Sequence, residues 1–402
     1  MMKKILYTTI LSLFVWLVSA GVRQSYAQVM PEFELAARGV MSVNGQLANS
    51  HTSSATNDFS DSSVLLGLRE KLYNDFRGRL VVGFQFPDAR SNLGQIFFHQ
   101  VFVQLDDHTN NFLLGRTRLY SRLIDFPTLR DDDALDFTDV LNPFSNGINT
   151  QDSQYGNIIQ YAHVFDQRFW IRAYGTHYTQ NPTILGMQET NFSTNGGGGV
   201  FEYLVPGSQI WNRPVLQQLG VGTNIFSTRR YPGIDKKEVL TSLQASTIIN
   251  LKRDPVNFID LRHQTLWNLG FSDDVNQLHN FFDVTRARSV ATYTTFRFLH
   301  SKLEVPTYQL ALGFGYKTFT GLKQKTNEFQ VIANGFYRIG ENFDVGLQYE
   351  FKHLNGDLQQ LNSGRSTINS LKLAVIFSTD FLFNKQFDNR NSLLNLEHGY
   401  IN

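Results

Sequence analysis

The stretch NFDVGLQYEFKHL, from Asn342 to Leu354, indicates the fold class of this 402-residue chain because its residues alternate between apolar and polar. One set of alternate positions is apolar or aromatic: Phe343, Val345, Leu347, Tyr349 and Phe351. The intervening set is polar, charged or glycine: Asp344, Gly346, Gln348, Glu350 and Lys352. A period of two is typical of a β-strand, whose successive side chains point to opposite faces. We therefore predict a strand with one apolar and one polar face.

The same alternation recurs along the chain in about sixteen segments of roughly 9–13 residues. Regular examples lie at 32–44, 79–86, 239–252, 261–272, 308–317, 328–338, 342–354 and 371–381. Less regular ones lie at 63–73, 95–106, 111–119, 154–165, 167–178, 189–205, 217–228 and 287–300. Short turn-rich links, such as 74–78, 253–255 and 340–342, alternate with longer polar links at 46–62, 179–192, 229–237, 272–284 and 355–366.

Two architectures would both produce this alternation of apolar and polar residues, and strand length distinguishes between them. In a soluble sandwich or propeller, strands are usually about 5–6 residues long and a second sheet covers their apolar face. A tilted strand that crosses a membrane needs about 9–11 residues, and its apolar face meets lipid while its polar face lines a lumen. The segment lengths therefore favour an all-β fold, a transmembrane antiparallel β-barrel of about 16 strands, over the soluble alternative.

The first residues predict export. Lys3 and Lys4 precede an apolar run from Ile5 to Val18, which is short for a membrane span, and Ser25-Tyr26-Ala27 offers a cleavage site. We expect residues 1–27 to be a removed signal peptide; cleavage after Val18-Ser19-Ala20 and an uncleaved anchor are the alternatives. Residues 28–383 are then the barrel, and 384–402 form a C-terminal tail or a last strand.

Composition agrees with this assignment. The chain has 34 Phe and 16 Tyr, and aromatic residues are enriched in strands and at membrane interfaces. It has no Cys, so an exported form would have no disulfide to stabilise it. Removal of residues 1–27 changes the net charge from +1 to −2, which gives no basic bias towards nucleic acid.

The alternation stops for longest between Leu119 and Gln154, in the segment YSRLIDFPTLRDDDALDFTDVLNPFSNGINTQDS. A loop of this length in a compact fold is usually functional or disordered, and its Phe and Leu content argues against disorder. It holds Asp125, Asp131, Asp132, Asp133, Asp136 and Asp139.

A signal peptide, about 16 amphipathic strands, short turns and one long loop make the mature chain resemble the porins of Gram-negative outer membranes. In general porins a long loop early in the barrel folds into the lumen and presents carboxylates opposite basic wall residues. The resemblance implies that residues 120–153 form such a constriction loop, with Asp131, Asp132, Asp133 and Asp136 on its acidic side. Two features depart from the family: its short acidic–glycine loop signature is absent, and the chain ends in GYIN instead of an aromatic residue.

Eight arginines on polar strand faces are candidates for the basic side of the lumen: Arg38, Arg69, Arg79, Arg168, Arg172, Arg262, Arg297 and Arg338. Opposed charges across a narrow aqueous neck would orient dipolar solutes and disfavour apolar ones. The alternative for each arginine is an ion pair with a nearby carboxylate or simple hydration.

Other chemistry is disfavoured. No Gly-x-Ser-x-Gly or HExxH pattern occurs, so we expect no enzyme, no catalytic metal and no cofactor. His263 shares a face with Leu261 and Trp267, which suggests an interfacial or inter-subunit histidine. Asp131 to Asp133 lack EF-hand spacing for Ca²⁺. Gly196 to Gly199 lack the GK[ST] ending of a phosphate loop and suggest a bend in a strand or a loop.

The leading functional expectation is an outer-membrane channel for passive diffusion of small hydrophilic solutes or ions. A channel selective for an oligosaccharide or an organic anion is the first alternative, and a plugged structural or adhesive barrel is the second. An outer-membrane hydrolase is the least favoured. Expected partners are outer-membrane lipid and small solutes but not nucleic acid, and the resemblance implies a possible homotrimer.

Overall fold

The structure is a computed structural model, and it describes only part of the chain. The described residues are 32–48, 52–58, 62–72, 76–85, 97–107, 109–118, 123–124, 126–129, 134–135, 155–166, 168–180, 183–184, 187–188, 192–205, 215–228, 238–254, 256–269, 288–302, 305–320, 326–339, 342–356, 358–359 and 364–382. The predicted signal peptide and the segment 384–402 lie outside them. Within these ranges, no helix is long and apolar enough to cross a membrane.

The described residues form β-strands almost throughout. The first eight strands are β1 (Glu32–Ala48), β2 (Thr52–Asp58), β3 (Ser63–Lys71), β4 (Arg77–Gln85), β5 (Phe97–Asp106), β6 (Asn110–Arg118), β7 (Tyr155–Phe165) and β8 (Phe169–Gln180). A two-residue pair follows, β9 (Thr183–Ile184) and β10 (Met187–Gln188). The remaining strands are β11 (Phe192–Leu204), β12 (Val215–Thr228), β13 (Glu238–Arg253), β14 (Asn257–Asn268), β15 (Arg288–Lys302), β16 (Val305–Thr320), β17 (Thr326–Arg338), β18 (Phe343–Asn355) and β19 (Thr367–Leu382).

These strands close into an antiparallel barrel. Apart from β2 and β3, strands that follow one another along the chain pair with each other, except that β8 pairs with β11 and leaves β9 and β10 as a separate pair. Strand β19 pairs with β1 from Glu34↔Leu382 to Ala48↔Ile368, which closes the ring. Strands β2 and β3 share one place, since β2 pairs with the second half of β1 and β3 with the first half. The barrel therefore has 16 strand positions, as the sequence predicted.

The break between β2 and β3 was not predicted. Residues 46–62 were expected to be a polar link, but β1 continues to Ala48 and Thr52–Asp58 forms β2. At the break, the hydroxyl of Ser62 replaces a ladder partner: it accepts the backbone N–H of Val40 at 2.9 Å and donates to the Val40 carbonyl at 3.3 Å. Residues 46–48 and 52–58 of the expected link are thus part of the sheet.

The barrel is apolar outside and polar inside. In β18, Phe343 and Leu347 are 47% and 51% exposed, whereas Gln348 between the outward positions is fully buried. A soluble sheet would show the opposite burial, so the polar face of the opening stretch points into the barrel.

Outward-facing aromatic side chains form two bands near the ends of the strands. One band includes Phe33, Phe165, Phe169, Tyr337 and Phe343, and the other includes Trp267, Tyr316 and Phe329. On β17, Phe329 and Tyr337 are eight residues apart, which corresponds to about 26 Å along the strand and about 20 Å along the axis of a barrel whose strands tilt by about 40°. This height is close to the roughly 25 Å apolar band of membrane barrels.

The connections differ between the two ends of the barrel. At the end where β1 begins, most links are short, as at 72–76, 107–109, 166–168, 254–256, 303–304 and 339–342. At the other end lie 119–154, 229–237, 269–287 and 356–366. We refer to these as the short-turn end and the long-loop end.

Two of the short turns are built alike. In Asp107-x-x-Asn110 and Asp254-x-x-Asn257, the aspartate carboxylate accepts backbone N–H groups of the turn and fixes its geometry. Partial burial raises the pKa of Asp107, but hydrogen bonds from the turn outweigh burial and lower this pKa to about 2.

Candidate functional site in the barrel lumen

The long segment after β6 enters the barrel. Its described residues, which we call the strap, are Leu123, Ile124, Phe126, Pro127, Thr128, Leu129, Ala134 and Leu135. Three amide side chains on inward-facing positions bind the strap backbone. Gln264 accepts the N–H of Leu123 at 2.9 Å, and Gln348 accepts the N–H of Leu129 at 2.9 Å. Asn334 donates to the Pro127 carbonyl at 2.6 Å.

The strap also packs through apolar side chains. The ring of Phe126 meets the ring of Tyr293 edge-on, with 4.7 Å between centroids. Ile124, Phe126, Ala134 and Leu135 share one buried apolar cluster with inward-facing residues of both halves of the barrel. That cluster includes Phe102, Leu113, Ile158, Tyr174, Leu266 and Tyr293. The strap therefore occupies part of the cross-section of the lumen.

The anchoring strands lie far around the barrel from the origin of the strap. The strap leaves β6, the fifth strand position, and its anchors lie on β14, β17 and β18, the eleventh, fourteenth and fifteenth positions of sixteen. Since the position opposite the fifth is the thirteenth, the strap reaches the opposite wall. Sequence analysis identified the segment but not its anchors, which are separated from it by 141 to 219 residues.

The predicted acidic side of the site, Asp131, Asp132, Asp133 and Asp136, lies outside the described residues. The described residues on either side of Asp131 to Asp133, Leu129 and Ala134, are buried inside the barrel, and so is Leu135, which precedes Asp136. The position of the four carboxylates in the lumen stays a prediction.

Seven of the eight predicted arginines occupy inward-facing strand positions: Arg38 on β1, Arg69 on β3, Arg79 on β4, Arg172 on β8, Arg262 on β14, Arg297 on β15 and Arg338 on β17. Arg168 does not. It lies in the turn between β7 and β8, where its half-exposed side chain is 3.7 Å from Asp166. The prediction that Arg168 lies on a strand face was wrong, because the apolar–polar alternation of the sequence continues through the tight turn between β7 and β8.

Three buried carboxylates on the wall each lie against two basic side chains. Glu34 is 2.7 Å from Arg79 and 3.7 Å from Arg69. Asp260 binds Arg297 through both carboxylate oxygens, at 3.1 and 2.6 Å, and Arg262 at 3.2 Å. Each of these two groups consists of one carboxylate and two basic side chains. We call them, together with a similar group around Glu350 that is described next, the basic triads.

The third basic triad lies closer to the long-loop end. Glu350 on β18 is 2.8 Å from the ammonium of Lys352 and 3.7 Å from that of Lys372 on β19. Gln330 and Ser370 also donate to its two oxygens. Sequence analysis did not single out these lysines, although their alternate spacing on β18 and β19 places them on the polar face.

Two further ion pairs are one-to-one. Arg338 binds Asp344 across β17 and β18 at 3.0 Å, and Lys317 binds Glu328 across β16 and β17 at 3.2 Å. Basic groups therefore outnumber carboxylates in the five ion-pair groups taken together. Buried ion pairs of this kind hold both partners in fixed positions on the wall.

His263 and the glycine run Gly196 to Gly199, which the sequence also singled out, both lie in strands of the barrel. His263 faces outward and hydrogen-bonds to the hydroxyls of Thr294 and Thr265 at 2.8 and 2.9 Å. Gly196 to Gly199 lie in the regular ladder of β11 between β8 and β12. Among the residues that the structure describes, no group of three His, Cys, Asp or Glu side chains could hold a metal ion.

Comparison with solved structures identifies similar barrels. The anion-selective porin from Comamonas acidovorans aligns with a TM-score of 0.60 and 11% identity, covering 87% of this chain and 100% of the porin. The outer membrane channel DcaP of Acinetobacter baumannii aligns with a TM-score of 0.59 and 10% identity, covering 88% of this chain and 99% of the channel. OmpF of Salmonella typhi, in a complex with daunomycin, aligns with a TM-score of 0.56 and 12% identity, covering 86% and 97%.

These similarities show that the chain has the 16-strand barrel fold of porins. No protein-family profile matches the sequence, and no curated protein matches it at a significant level.

Proposed function

We propose that this chain is an outer-membrane channel through which small hydrophilic solutes or ions diffuse passively. The observation that carries the proposal is the closed barrel with an apolar outer face and a polar, charged inner face. Lipid would cover the outer face, and the inner face would line an aqueous path beside the strap. Removal of residues 1–27 and assembly as a homotrimer are parts of this proposal.

Liposome swelling tests the proposal. Vesicles that contain the folded protein should swell in isotonic solutions of small sugars, and swelling should decline as the sugar becomes larger. Vesicles without protein are the control. A folded barrel that gives no swelling with any solute would support the alternative, a plugged structural or adhesive barrel.

We propose further that opposed charges define the narrowest part of the channel. The acidic side would be Asp131, Asp132, Asp133 and Asp136, and the basic side would be the inward-facing arginines. Supporting this arrangement, the strap reaches the wall that carries Asp260, Arg262 and Arg297. Potentials measured in a salt gradient should shift towards anion preference in a D131N/D132N/D133N variant. An unchanged potential would exclude these carboxylates from the neck.

A channel selective for organic anions is the second candidate, and the basic triads favour it. Two basic groups beside each of Glu34, Asp260 and Glu350 give these three parts of the wall an excess of positive charge. One structural neighbour is an anion-selective porin. An R262Q/R297Q variant should lose anion preference in the same salt gradient. If the wild-type channel prefers cations, this candidate is wrong.

A further inference from the structure

One row of polar side chains interrupts the apolar outer face of the barrel. Its four residues are direct cross-strand neighbours on adjacent strands: Arg116 on β6, Asn157 on β7, His177 on β8 and Asn195 on β11. They face outward, because the residues next to them in the strands, such as Ile158 and Thr176, are buried inside the barrel. The side chains of Asn157, His177 and Asn195 are exposed. We call the four residues the polar row.

The polar row shortens the apolar outer face on this side of the barrel. On β6 the outward positions between the short turn and Arg116 are Asn110, Phe112 and Leu114. On β17 the outward positions are aromatic, apolar or glycine over the longer stretch from Phe329 to Tyr337. A membrane adapts to a short apolar face by thinning and by contacts between long polar side chains and lipid headgroups. The polar row is therefore a place where headgroups approach the barrel.

The hydrogen-bonding groups of the polar row fit an anion. The guanidinium of Arg116 presents several donors in a planar fork that matches phosphate oxygens. The Oδ1 of Asn195 accepts from the Nδ1 of His177 at 2.6 Å, which leaves the amide N–H groups of Asn195 as further donors. On β5 to β11, the outward-facing strand positions that the structure describes carry no carboxylate.

A second copy of the chain fits the polar row less well than a lipid. Subunits of one membrane oligomer insert in the same orientation, so their long-loop ends lie on the same side of the membrane. Among the described strand residues, the one outward-facing carboxylate is Glu70, near the short-turn end of β3. A neighbouring subunit would bring no strand carboxylate to Arg116, whereas the headgroup of an anionic lipid brings a phosphate.

We propose that the polar row binds the phosphate group of an anionic membrane lipid in the leaflet at the long-loop end. Longer loops are extracellular in bacterial outer-membrane barrels, which places the site in the outer leaflet. The guanidinium of Arg116 supplies the positive charge, and the amides of Asn157 and Asn195 donate beside it. The inference rests on the membrane insertion that the proposed function requires, and it adds a lipid-recognition site on the outer face.

Native mass spectrometry of the folded protein in a neutral detergent tests the proposal. The protein is titrated with dioleoyl phosphatidic acid, which carries a phosphate monoester, and separately with dioleoyl phosphatidylcholine, whose ammonium group offsets the phosphate charge. We expect phosphatidic acid to bind more tightly. In R116Q its dissociation constant should rise about fivefold, because one basic side chain beside an anionic lipid contributes about this factor.

The matched control is R288Q. Arg288 is an exposed, outward-facing arginine on β15 near the same end of the barrel, and its direct neighbour on β16 is Thr320. Since Arg288 lies outside the polar row, R288Q should bind both lipids like the wild type. If R116Q does not fold, Asn157→Leu removes an exposed amide of the row and should raise the dissociation constant for phosphatidic acid about two- to fivefold.

Three results would overturn the proposal: equal affinity for the two lipids, an unchanged affinity for phosphatidic acid in folded R116Q, or an equal loss of affinity in R116Q and R288Q. If R116Q changes the mass of the oligomer and leaves lipid affinity unchanged, the polar row contacts a second copy instead. Each of these results leaves the channel proposal standing, because Arg116 lies outside the lumen and R116Q should conduct like the wild type. Absence of any current from the folded barrel would contradict the channel function and not the lipid site.

Discussion

The anchoring of the strap predicts a measurable change on replacing Gln348 by leucine. Gln348 is buried, and its Oε1 accepts the N–H of Leu129, which is also buried. Leucine fills a similar volume but accepts no hydrogen bond, so the docked strap would keep a buried, unpaired backbone N–H. That change costs about 1–3 kcal/mol and raises the ratio of undocked to docked strap by about 5- to 150-fold.

Limited proteolysis measures this ratio. Arg130 directly follows Leu129 in the sequence and is a trypsin cleavage site when the strap leaves the wall. When undocking and redocking are fast relative to cleavage, the cleavage rate follows the undocked population. The initial cleavage rate at Arg130, measured by mass spectrometry on the folded protein in detergent, should therefore rise about 5- to 150-fold in Gln348→Leu.

The control variant is Gln100→Leu. Gln100 is a buried, inward-facing glutamine on β5 whose Oε1 accepts the hydroxyl of Thr117, a residue of β6 and not of the strap. Its cleavage rate at Arg130 should equal that of the wild type. Cleavage of a folded Gln348→Leu variant at the wild-type rate would show that this hydrogen bond does not hold the strap on the wall.

Three further predictions concern the wall, a turn and the outer face. Arg79→Met removes one of the two basic neighbours of Glu34 and should lower the free energy of unfolding in urea by about 3–5 kcal/mol. Adding Glu34→Gln to this variant should restore part of the lost free energy, and a double variant without any restoration would argue against the Glu34–Arg79 ion pair. Because the pKa of Asp107 is lowered to about 2, its stabilisation of the β5–β6 turn is complete above the unfolded-state pKa, near 4, and is lost as the pH falls towards 2. Hydrogen exchange in the turn, divided by the intrinsic exchange rate at each pH, should therefore show constant protection above about pH 5, and protection that already falls as the pH is lowered to 5 would contradict this. Leu347→Arg places a charge in the middle of the apolar band and should destabilise the barrel by about 2–4 kcal/mol, whereas Ile339→Arg in a short turn should cost about 0–1 kcal/mol; equal effects would contradict the assigned band.

The strands could be predicted from the sequence because membrane and lumen impose a period of two on each of them. All sixteen predicted segments correspond to a strand position. The segment that was missed, β2, has the sequence TSSATND and carries no apolar face. Its strand conformation comes from pairing with β1, a tertiary interaction that no local pattern reports.

The strand face on which each charged residue lies could also be predicted from the sequence, but its ion-pair partner could not. Alternation places Asp260 and Arg297 on polar faces, yet the ion pair depends on the register in which β14 and β15 meet. The same limit applies to Gln264 and Gln348, which look like ordinary lumen residues until the strap is docked on them. The apolar–polar alternation predicts the face on which a side chain lies, whereas its contacts depend on how the strands pair and where the strap docks.

The proposed channel function requires a water-filled path that crosses the barrel beside the strap. Single-channel recording in a planar bilayer tests it most directly, with purified folded protein and a salt gradient across the membrane. We expect stepwise current increases of uniform size, and the sign of the zero-current potential reports which charges dominate the neck. A folded, inserted barrel that gives no current steps would contradict the claim and identify the strap as part of a closed plug.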